Sequence, residues 1–281
     1  MILAAKDLAL SIKDEVKKNV AENNLKLTLA VILVGEDNAS KIYVRNKKIA
    51  CEYIGIKSLI YELPESISQN ELLEIVFELN ERSDVTGILV QLPLPKHIDE
   101  AFIMENINPL KDVDGFHPEN VGKLTLGSPK LVPCTAIGII KLLEHFKINI
   151  DGENCVVVGR SNDVGKPVAS LMLAKNATVT ICHSHTKNLA QITKTADILI
   201  SAVGKAKFIN CDMIKENSTL IDVGMNRIDG KLCGDIDFDS CISKAKNITP
   251  VPGGVGLMTI AMLMQNCIIA NALQKFRNVG K

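Results

Sequence analysis

Tyr43 and Lys47 lie four residues apart near the start of the chain, a spacing that puts two side chains on one face of a helix. A lysine held against apolar surface exchanges protons more readily near neutral pH, and a tyrosine beside it can orient the lysine or a substrate. The pair therefore fits acid–base catalysis. Taken alone, residues 45–48 (Arg-Asn-Lys-Lys) fit a solvated charged face better, so spacing leaves both interpretations open.

Two other stretches of the first half carry polar residues in suggestive places. Gln91 ends an apolar run and precedes two prolines, and Asp112 and Asp114 lie in the irregular segment 109–133. Long irregular segments inside a compact protein are usually functional or linking. A glutamine or carboxylate beside a lysine could orient it, which makes these residues candidates for the same site.

A different pattern opens the second half. The apolar run 155–158 leads directly into Gly159, and an apolar helical pattern begins after Gly165. A strand, a tight turn and a helix start in this order aim backbone N–H groups at a phosphate. The stretch departs from the usual G-x-G-x-x-G fingerprint, because Ser161 and Val164 replace its second and third glycines. Packing and dinucleotide binding both remain open from this stretch alone.

The end of the next predicted strand bears on the choice of cofactor. In a nucleotide-binding βαβ unit this strand end approaches the adenosine ribose, where an acidic residue favours NAD. Residues 181–184 read Ile-Cys-His-Ser, without an acid, and Arg160 in the preceding turn could reach the same region. A single turn arginine is otherwise more often solvated. The missing acid, with Arg160 and Ser184, favours NADP.

Two further glycine-containing turns follow predicted strands, at residues 222–226 and 250–256. Open α/β sheets bind ligands at the carboxyl ends of their strands, and glycine lets the backbone approach a flat ligand closely. Turns with a purely structural role use glycine too, so each turn alone is weak evidence for a ligand site. The two turns together are better evidence.

Composition excludes several classes of partner. The 281 residues contain 32 basic and 32 acidic side chains, so net charge indicates neither nucleic acid nor an anionic membrane surface. The eight cysteines form no C-x-x-C pair and no zinc spacing, which predicts buried thiols in a reducing cytosol and no metal site. The N-terminus lacks the apolar core of a signal peptide, and we expect no apolar run of transmembrane length. The sequence predicts a soluble cytoplasmic protein.

Apolar strands alternate with amphipathic helices, which predicts an α/β fold with parallel sheets and helices on both faces. Helices are expected to begin near Leu8, Ser40, Gln69 and Thr135, and a last helix over 257–275 could pack with either half. We expect a domain boundary near residue 135. The predicted strands are 27–34, 57–61, 87–92, 155–158, 178–182, 198–202, 219–223 and 247–249.

Seven blocks in order make the chain resemble the bifunctional methylenetetrahydrofolate dehydrogenase/methenyltetrahydrofolate cyclohydrolase family over essentially its whole length. They are Tyr43–Lys47 with Glu52–Gly55, Val90–Pro95, Lys111–Phe116, Pro133–Thr135, Gly159–Gly165, Asp222–Gly224 and Pro250–Gly256.

The resemblance implies a fold and an activity. An N-terminal three-layer α/β domain (residues 1–135, joined by the C-terminal helix 257–281) would bind folate and carry the catalytic residues. A Rossmann-type domain with a parallel sheet (136–256) would bind NADP, with the folate in the cleft between the domains. The protein would be a homodimer that oxidises 5,10-methylenetetrahydrofolate with NADP to 5,10-methenyltetrahydrofolate and hydrolyses that product to 10-formyltetrahydrofolate.

The resemblance also implies residue roles. Lys47 would be the catalytic lysine, with Tyr43 stacked on the pterin, Gln91 positioning the lysine and Asp114 hydrogen-bonded to the pterin. The folate loop would include Pro252, Gly253 and Gly256. The cofactor would be held by Gly159, Arg160, Ser161, Gly165, Ser184 and the backbone at Met225.

The sequence departs from the family pattern where three prolines are replaced by Ala136, Ala206 and Leu257. Prolines at loop ends limit backbone freedom and supply no reacting group. Three alternatives stay open from sequence. They are an NADP-dependent dehydrogenase with the same layout acting on a small hydroxy or amino acid, a catalytically silent dinucleotide-binding or scaffold protein, and a dehydrogenase with little cyclohydrolase activity.

Overall fold

The chain folds as two α/β units, each built around its own parallel sheet. The computed structural model describes the backbone of residues 1–279 and the side chains of residues 1–276. The Lys47 unit comprises residues 11–132 and 260–279, and the Gly159 unit comprises residues 1–10 and 133–259. These limits differ from the predicted domain limits at 135/136 and 256/257, and chiefly in the placement of residues 1–10.

The Lys47 unit has a parallel sheet of order β2-β1-β3. All seven residues of its central strand are buried, so both faces of the sheet are covered, which explains the nearly unbroken apolar sequence. The strands are β1 (Thr28–Val34), β2 (Lys57–Leu63) and β3 (Gly87–Val90). The helices are α1 (Lys6–Glu22, whose first residues lie in the other unit), α2 (Asn38–Ile54), α3 (Gln69–Glu81), α4 (Glu100–Glu105) and α5 (Pro118–Thr125).

Helix α2, which carries Tyr43 and Lys47, is defined at both ends by its own sequence. The Asp37 carboxylate accepts the Ser40 N–H at 2.7 Å as an N-cap. At the other end Gly55 adopts φ +91° and its N–H bonds to the Cys51 carbonyl. Glycine takes this left-handed conformation without strain, which ends the helix after Ile54.

The segment 109–133 is more ordered than its weak periodicity suggests. It contains α5, which begins with Pro118 in its first turn. Before it, the ammonium of Lys111 is buried and donates to the carbonyls of Leu79, Asn80 and Arg82 at 2.7–3.0 Å, closing the C-terminus of α3. Lys111 therefore serves the fold.

The Gly159 unit has a five-stranded parallel sheet of order β10-β7-β6-β4-β5. In chain order this is 2-1-3-4-5 read from the β5 edge, a doubly wound arrangement whose direction reverses between β4 and β6. The strands are β4 (Asn154–Val158), β5 (Thr178–Cys182), β6 (Ile198–Ser201), β7 (Thr219–Asp222) and β10 (Asn247–Ile248), with a hairpin of β8 (Asn226–Ile228) and β9 (Lys231–Cys233). The helices are α6 (Cys134–His145), α7 (Gly165–Ala174), α8 (Leu189–Thr193), α9 (Phe238–Cys241) and the start of α10 (Val255–Val279).

Residues 1–5 join this second sheet rather than the first. Leu3 donates to the Ile248 carbonyl at 2.8 Å, and Ile248 donates to the Met1 carbonyl at 3.0 Å. Ala5 donates to the Gly253 carbonyl at 2.9 Å. These hydrogen bonds between distant parts of the chain explain why the N-terminus, predicted in the first domain, belongs to the Gly159 unit.

Helix α10 corrects the expectation that no apolar run reaches transmembrane length. Within the described chain, Val255–Phe276 is the single helix whose length and mean hydropathy would suffice to cross a membrane. Its residues are those of a core helix, however. Asn266 is buried and donates to the Val113 and Val132 carbonyls at 2.8 and 2.9 Å, contacts that bind α10 into the Lys47 unit.

Candidate active site

Lys47 and Gln91, distant in sequence, are joined by a hydrogen bond. The Lys47 side chain, only 6% exposed, donates from Nζ to Gln91 Oε1 at 2.9 Å. Gln91 Nε2 in turn donates to the Leu92 carbonyl at 2.8 Å, and the Gln91 backbone N–H bonds to Ile32 at 2.8 Å. The end of β3 thus fixes the amide so that its oxygen faces the lysine.

Two side chains on α2 flank Lys47 at a distance of one helical turn. Tyr43, one turn earlier on α2, is half-buried, and that burial raises the pKa of its phenol, which stays neutral at physiological pH. One turn later Cys51 is fully buried, 3.8 Å from the Met264 sulfur, and burial raises the pKa of its thiol to about 12. Along α2, Lys47 is therefore flanked by a half-buried tyrosine and a buried thiol.

The two aspartates of the irregular segment have different roles. Asp112 is 1% exposed and its carboxylate accepts three backbone N–H groups of residues 115–117 and the side-chain amide of Asn120, at 2.8–3.2 Å. Burial raises the pKa of Asp112, and these hydrogen bonds oppose the rise. Asp114 keeps part of its side chain exposed. Asp112 thus shapes the loop, and Asp114 is the better candidate for ligand contact.

The turn between β4 and α7 has the shape of a phosphate cradle. Gly159 has φ +132°, and a Cβ there would lie 2.3 Å from the Ala202 carbonyl oxygen. A Cβ on Gly165 would lie 2.4 Å from the Gly159 carbonyl oxygen. Both positions exclude any side chain, so the backbone turns tightly into the N-terminus of α7. The Ser161 hydroxyl accepts the Gly165 N–H at 3.2 Å and closes the turn.

Arg160 and the end of β5 are near one another. Partial burial, the Arg160 charge and His185 all lower the pKa of His183, which immediately precedes Ser184. Arg160, Ser161 and Ser184 are exposed. The guanidinium and the serine hydroxyls are accordingly available to an anionic ligand at this edge of the sheet.

Met225 and the glycine-rich loop 250–256 also come together in the Gly159 unit. The Met225 sulfur is 3.8 Å from the position that a Cβ on Gly256 would take, and Met225 is 44% exposed. Gly253 has φ +106° and Pro252 is exposed. These two loops follow β7 and β10, so both lie at the carboxyl end of the sheet, as predicted.

One pair of functional candidates lies partly outside the sequence motifs. Asp222 and Asp235 are 4% and 0% exposed, and their carboxylates accept backbone N–H groups from the loops that follow β6 and β7. Burial raises the pKa of Asp222 to about 6. Asp222 was part of a recognised block, but Asp235 was missed. Its available signal was an acid between Gly234 and the apolar Ile236.

The fold and these sites together define a class. A doubly wound sheet with a side-chain-free turn at its switch point is characteristic of nucleotide-binding α/β proteins. The Lys47 unit adds a candidate for proton transfer, a buried lysine on α2 that donates to Gln91 at the end of β3. Among the described residues, no three His, Cys, Asp or Glu side chains are grouped as a metal site.

Comparison with known proteins makes the class specific. Residues 3–114 match the catalytic domain of tetrahydrofolate dehydrogenase/cyclohydrolase, and residues 133–275 match the NAD(P)-binding domain of the same enzyme family. The chain belongs to the tetrahydrofolate dehydrogenase/cyclohydrolase family.

Individual relatives agree over full length. The bifunctional protein FolD of Agathobacter rectalis is 57% identical over 96% of this chain and 98% of the relative. The crystal structure of the bifunctional enzyme FolD from Campylobacter jejuni has a TM-score of 0.94 and 47% identity, covering 98% of this chain and 99% of that one. A Trypanosoma brucei structure of the dehydrogenase-cyclohydrolase with NADP and an inhibitor has a TM-score of 0.92 and 36% identity, covering 96% of each chain.

Proposed function

We propose that the protein oxidises 5,10-methylenetetrahydrofolate to 5,10-methenyltetrahydrofolate with NADP and then hydrolyses this product to 10-formyltetrahydrofolate. One observation carries the proposal for this chain. The buried Lys47 donates to Gln91, which supports a positioned proton-transfer group, in a chain that is similar to bifunctional relatives over its full length.

The hydrolytic step depends on Lys47. Water adds to the methenyl carbon, and a proton must leave that water before the ring opens. Lys47 in its basic form accepts or relays this proton, and general acid–base groups contribute roughly 10²–10⁴-fold to a rate. An ammonium would oppose the cationic substrate, so the neutral amide of Gln91 suits the site better than a carboxylate, which would hold the lysine charged.

We assign Tyr43 to the pterin face and Asp114 to hydrogen bonding with the pterin ring. Tyr43 is half-buried one turn from Lys47, which supports a stacking role. Asp114 lies in a loop that is held by the buried Asp112 carboxylate, which supports a fixed contact geometry. We retain Pro252, Gly253 and Gly256 as substrate contacts.

The Gly159 unit fits a dinucleotide. The positions of Gly159 and Gly165, which a Cβ would fill, leave the backbone free to approach a pyrophosphate. We assign Ser161 to this phosphate contact and Arg160 with Ser184 to the 2′-phosphate of NADP. The Met225 backbone would contact the nicotinamide half. When bound, NADP supplies the hydride acceptor of the first step, and the protein's task is to orient it at reacting distance from the methylene carbon.

We further infer a cytoplasmic homodimer. The eight cysteines are all free thiols, in keeping with a reducing compartment. Strand β5 ends the sheet, and Ile181 on it and Leu173 on α7 are 42% and 64% exposed. Strand edges and apolar side chains of this kind are commonly covered by a partner, here a second copy. The balanced charge gives no reason to add nucleic acid or a membrane.

An assay of the purified protein with methylenetetrahydrofolate and either NADP or NAD tests the proposal. We expect reduction of NADP, followed by the loss of methenyltetrahydrofolate absorbance. No reduction of either cofactor rejects the proposal, and stable accumulation of the methenyl product supports a dehydrogenase with little cyclohydrolase activity instead. Arg160→Ala tests the cofactor assignment. It should raise the KM for NADP about 10- to 100-fold, with little change in the KM for NAD, because it removes only the charge facing the 2′-phosphate.

A further inference from the structure

The carboxylate of Asp235 is saturated by donors from two loops. Its Oδ2 accepts the backbone N–H groups of Val203 and Gly204 at 2.6 and 3.2 Å. Its Oδ1 accepts the N–H of Lys205 and the side-chain amide of Asn226, both at 2.9 Å. Asp235 is 0% exposed, so these groups, and not water, satisfy it.

The two loops lie where the unit is expected to bind its cofactor. Residues 203–205 follow β6, which pairs with β4 at the switch point of the sheet. Asn226 follows Met225 and is the first residue of β8, directly after the loop that follows β7. One side chain thus ties together two neighbouring loops at the carboxyl edge of the sheet.

The carboxylate of Asp222 fixes the backbone at Asp235. Asp222 accepts the N–H groups of Gly224 and Asp235 at 2.9 Å and that of Ile236 at 2.8 Å. A Cβ on Gly224 would lie 2.2 Å from Asp235 Oδ1, and one on Gly234 would lie 1.9 Å from Asp222 Oδ2. Both glycines are required by the close approach of the carboxylates, so the arrangement is sterically specified.

The chemistry of the donors requires a carboxylate at position 235. Each oxygen faces two N–H donors, and an ionised carboxylate is a pure acceptor. An asparagine would turn its NH₂ group against one of these pairs of donors in either orientation. Two buried N–H groups would then lose their acceptor, and the loops could no longer hold their present spacing.

We propose that Asp235 is a positioning residue for the cofactor, which sets the spacing of loops 203–205 and 224–226 against the nicotinamide half of NADP. This inference rests on the proposed function of the Gly159 unit. Asp235 acts on dinucleotide binding through the loops and does not touch the reacting atoms. Hydrolysis of methenyltetrahydrofolate involves no oxidation or reduction, so it should not depend on these loops.

Calorimetric titration of the full-length protein with NADP, together with both activity assays, tests this role in Asp235→Asn. We expect the Kd and the KM for NADP to rise at least tenfold, while kcat/KM for hydrolysis of methenyltetrahydrofolate stays within twofold of wild type. A purely structural role would lower both activities together, in proportion to the folded fraction, and leave the KM for NADP unchanged. That result, or wild-type NADP affinity in the variant, overturns the inference.

Two further variants keep the test decisive. Asn226→Ala removes only one of the hydrogen bonds to Asp235, so it replaces Asp235→Asn if that variant does not fold. It should raise the KM for NADP severalfold, and an unchanged KM contradicts the inference.

Asp197→Asn is the matched control, because Asp197 accepts the Asn154 N–H at 3.0 Å at the opposite end of the same sheet. It should leave NADP affinity unchanged. Failure of the wild-type protein to bind NADP at all would count against the proposed function itself.

Discussion

The hydrogen bond between Lys47 and Gln91 joins an amine that can carry a charge to an amide that cannot. The amide oxygen orients Nζ through a 2.9 Å hydrogen bond without supplying a negative charge. The Gln91 NH₂ is held by the Leu92 carbonyl, so the amide has little freedom to turn. At the scale of single residues, a glutamine at position 91 orients the lysine without adding the negative charge that a glutamate would bring.

The substitution Gln91→Glu tests whether a neutral side chain is needed beside Lys47. A carboxylate in place of the amide stabilises the ammonium form of Lys47, so the basic form is reached only at higher pH. We expect hydrolysis of methenyltetrahydrofolate at neutral pH to fall on the order of 10²-fold and to recover partly as the pH is raised. The pH dependence of kcat measures both effects.

Gln91→Met provides the comparison without charge. It removes the hydrogen bond to Lys47 while keeping similar length and bulk, so activity should fall and its pH profile should stay where it is in wild type. Equal pH profiles for the glutamate and methionine variants would contradict an electrostatic role for the amide.

Sequence reasoning predicted some single residues better than others. Spacing alone put Tyr43 and Lys47 on one helical face, and the structure bears out that geometry. The hydrogen bond from Lys47 to Gln91 spans 44 positions and depends on how β3 lies beside β1, which local pattern does not encode. Asp112 and Asp235 were not recognised as structural acceptors, because burial of a carboxylate is a tertiary property.

At the scale of elements, the turn from β4 to α7 depends on glycine. Gly159→Ala would bring a methyl group to 2.3 Å from the Ala202 carbonyl oxygen, in addition to the strain of φ +132°. We expect the free energy of unfolding to fall by about 3 kcal/mol or more and NADP affinity to be lost, since β4 and β6 would have to separate. Chemical denaturation and NADP titration measure the two effects.

Gly152→Ala is the matched control for that substitution. Gly152 also has a positive φ, +78°, but a Cβ there meets nothing within 4 Å. Only the backbone strain remains, which costs about 1 kcal/mol, and NADP affinity should be unchanged. Similar losses of NADP affinity in both variants would argue against a specific role for the Gly159 turn.

The strands of both parallel sheets and the long helices followed from the sequence, whereas several short helices and the hairpin did not. The predicted strands at 27–34 and 178–182 agree with β1 and β5 within one residue. Strand β1 is a buried, continuous apolar run. Strand β5 is a partly exposed edge strand, and its β-branched residues are typical of strands. Helix α5 was missed because few of its residues are apolar, although Pro118 in its first turn was an available signal. The hairpin of β8 and β9 is short and exposed, so it has no hydrophobic periodicity to detect.

At the scale of the whole molecule, each end of the chain belongs to a different unit from the residues next to it in sequence. Residues 1–10 belong with the second half of the sequence, and α10 begins in the Gly159 unit and continues into the Lys47 unit from residue 260. Pattern analysis left the partner of the last helix open and assigned the N-terminus to the first domain. Both points depend on hydrogen bonds between residues more than a hundred positions apart, such as Leu3 with Ile248 and Asn266 with Val113.

The central claim is that one chain performs both reactions and that Lys47 is required chiefly for the second. A progress curve of methylenetetrahydrofolate with NADP, recorded for wild type and Lys47→Ala, tests it most directly. Wild type should yield reduced NADP and 10-formyltetrahydrofolate in equal amounts. The variant, folded by circular dichroism, should still reduce NADP at a lower rate and accumulate methenyltetrahydrofolate, which then decays only at the uncatalysed rate. Hydrolysis by the folded variant at the wild-type rate would contradict the account.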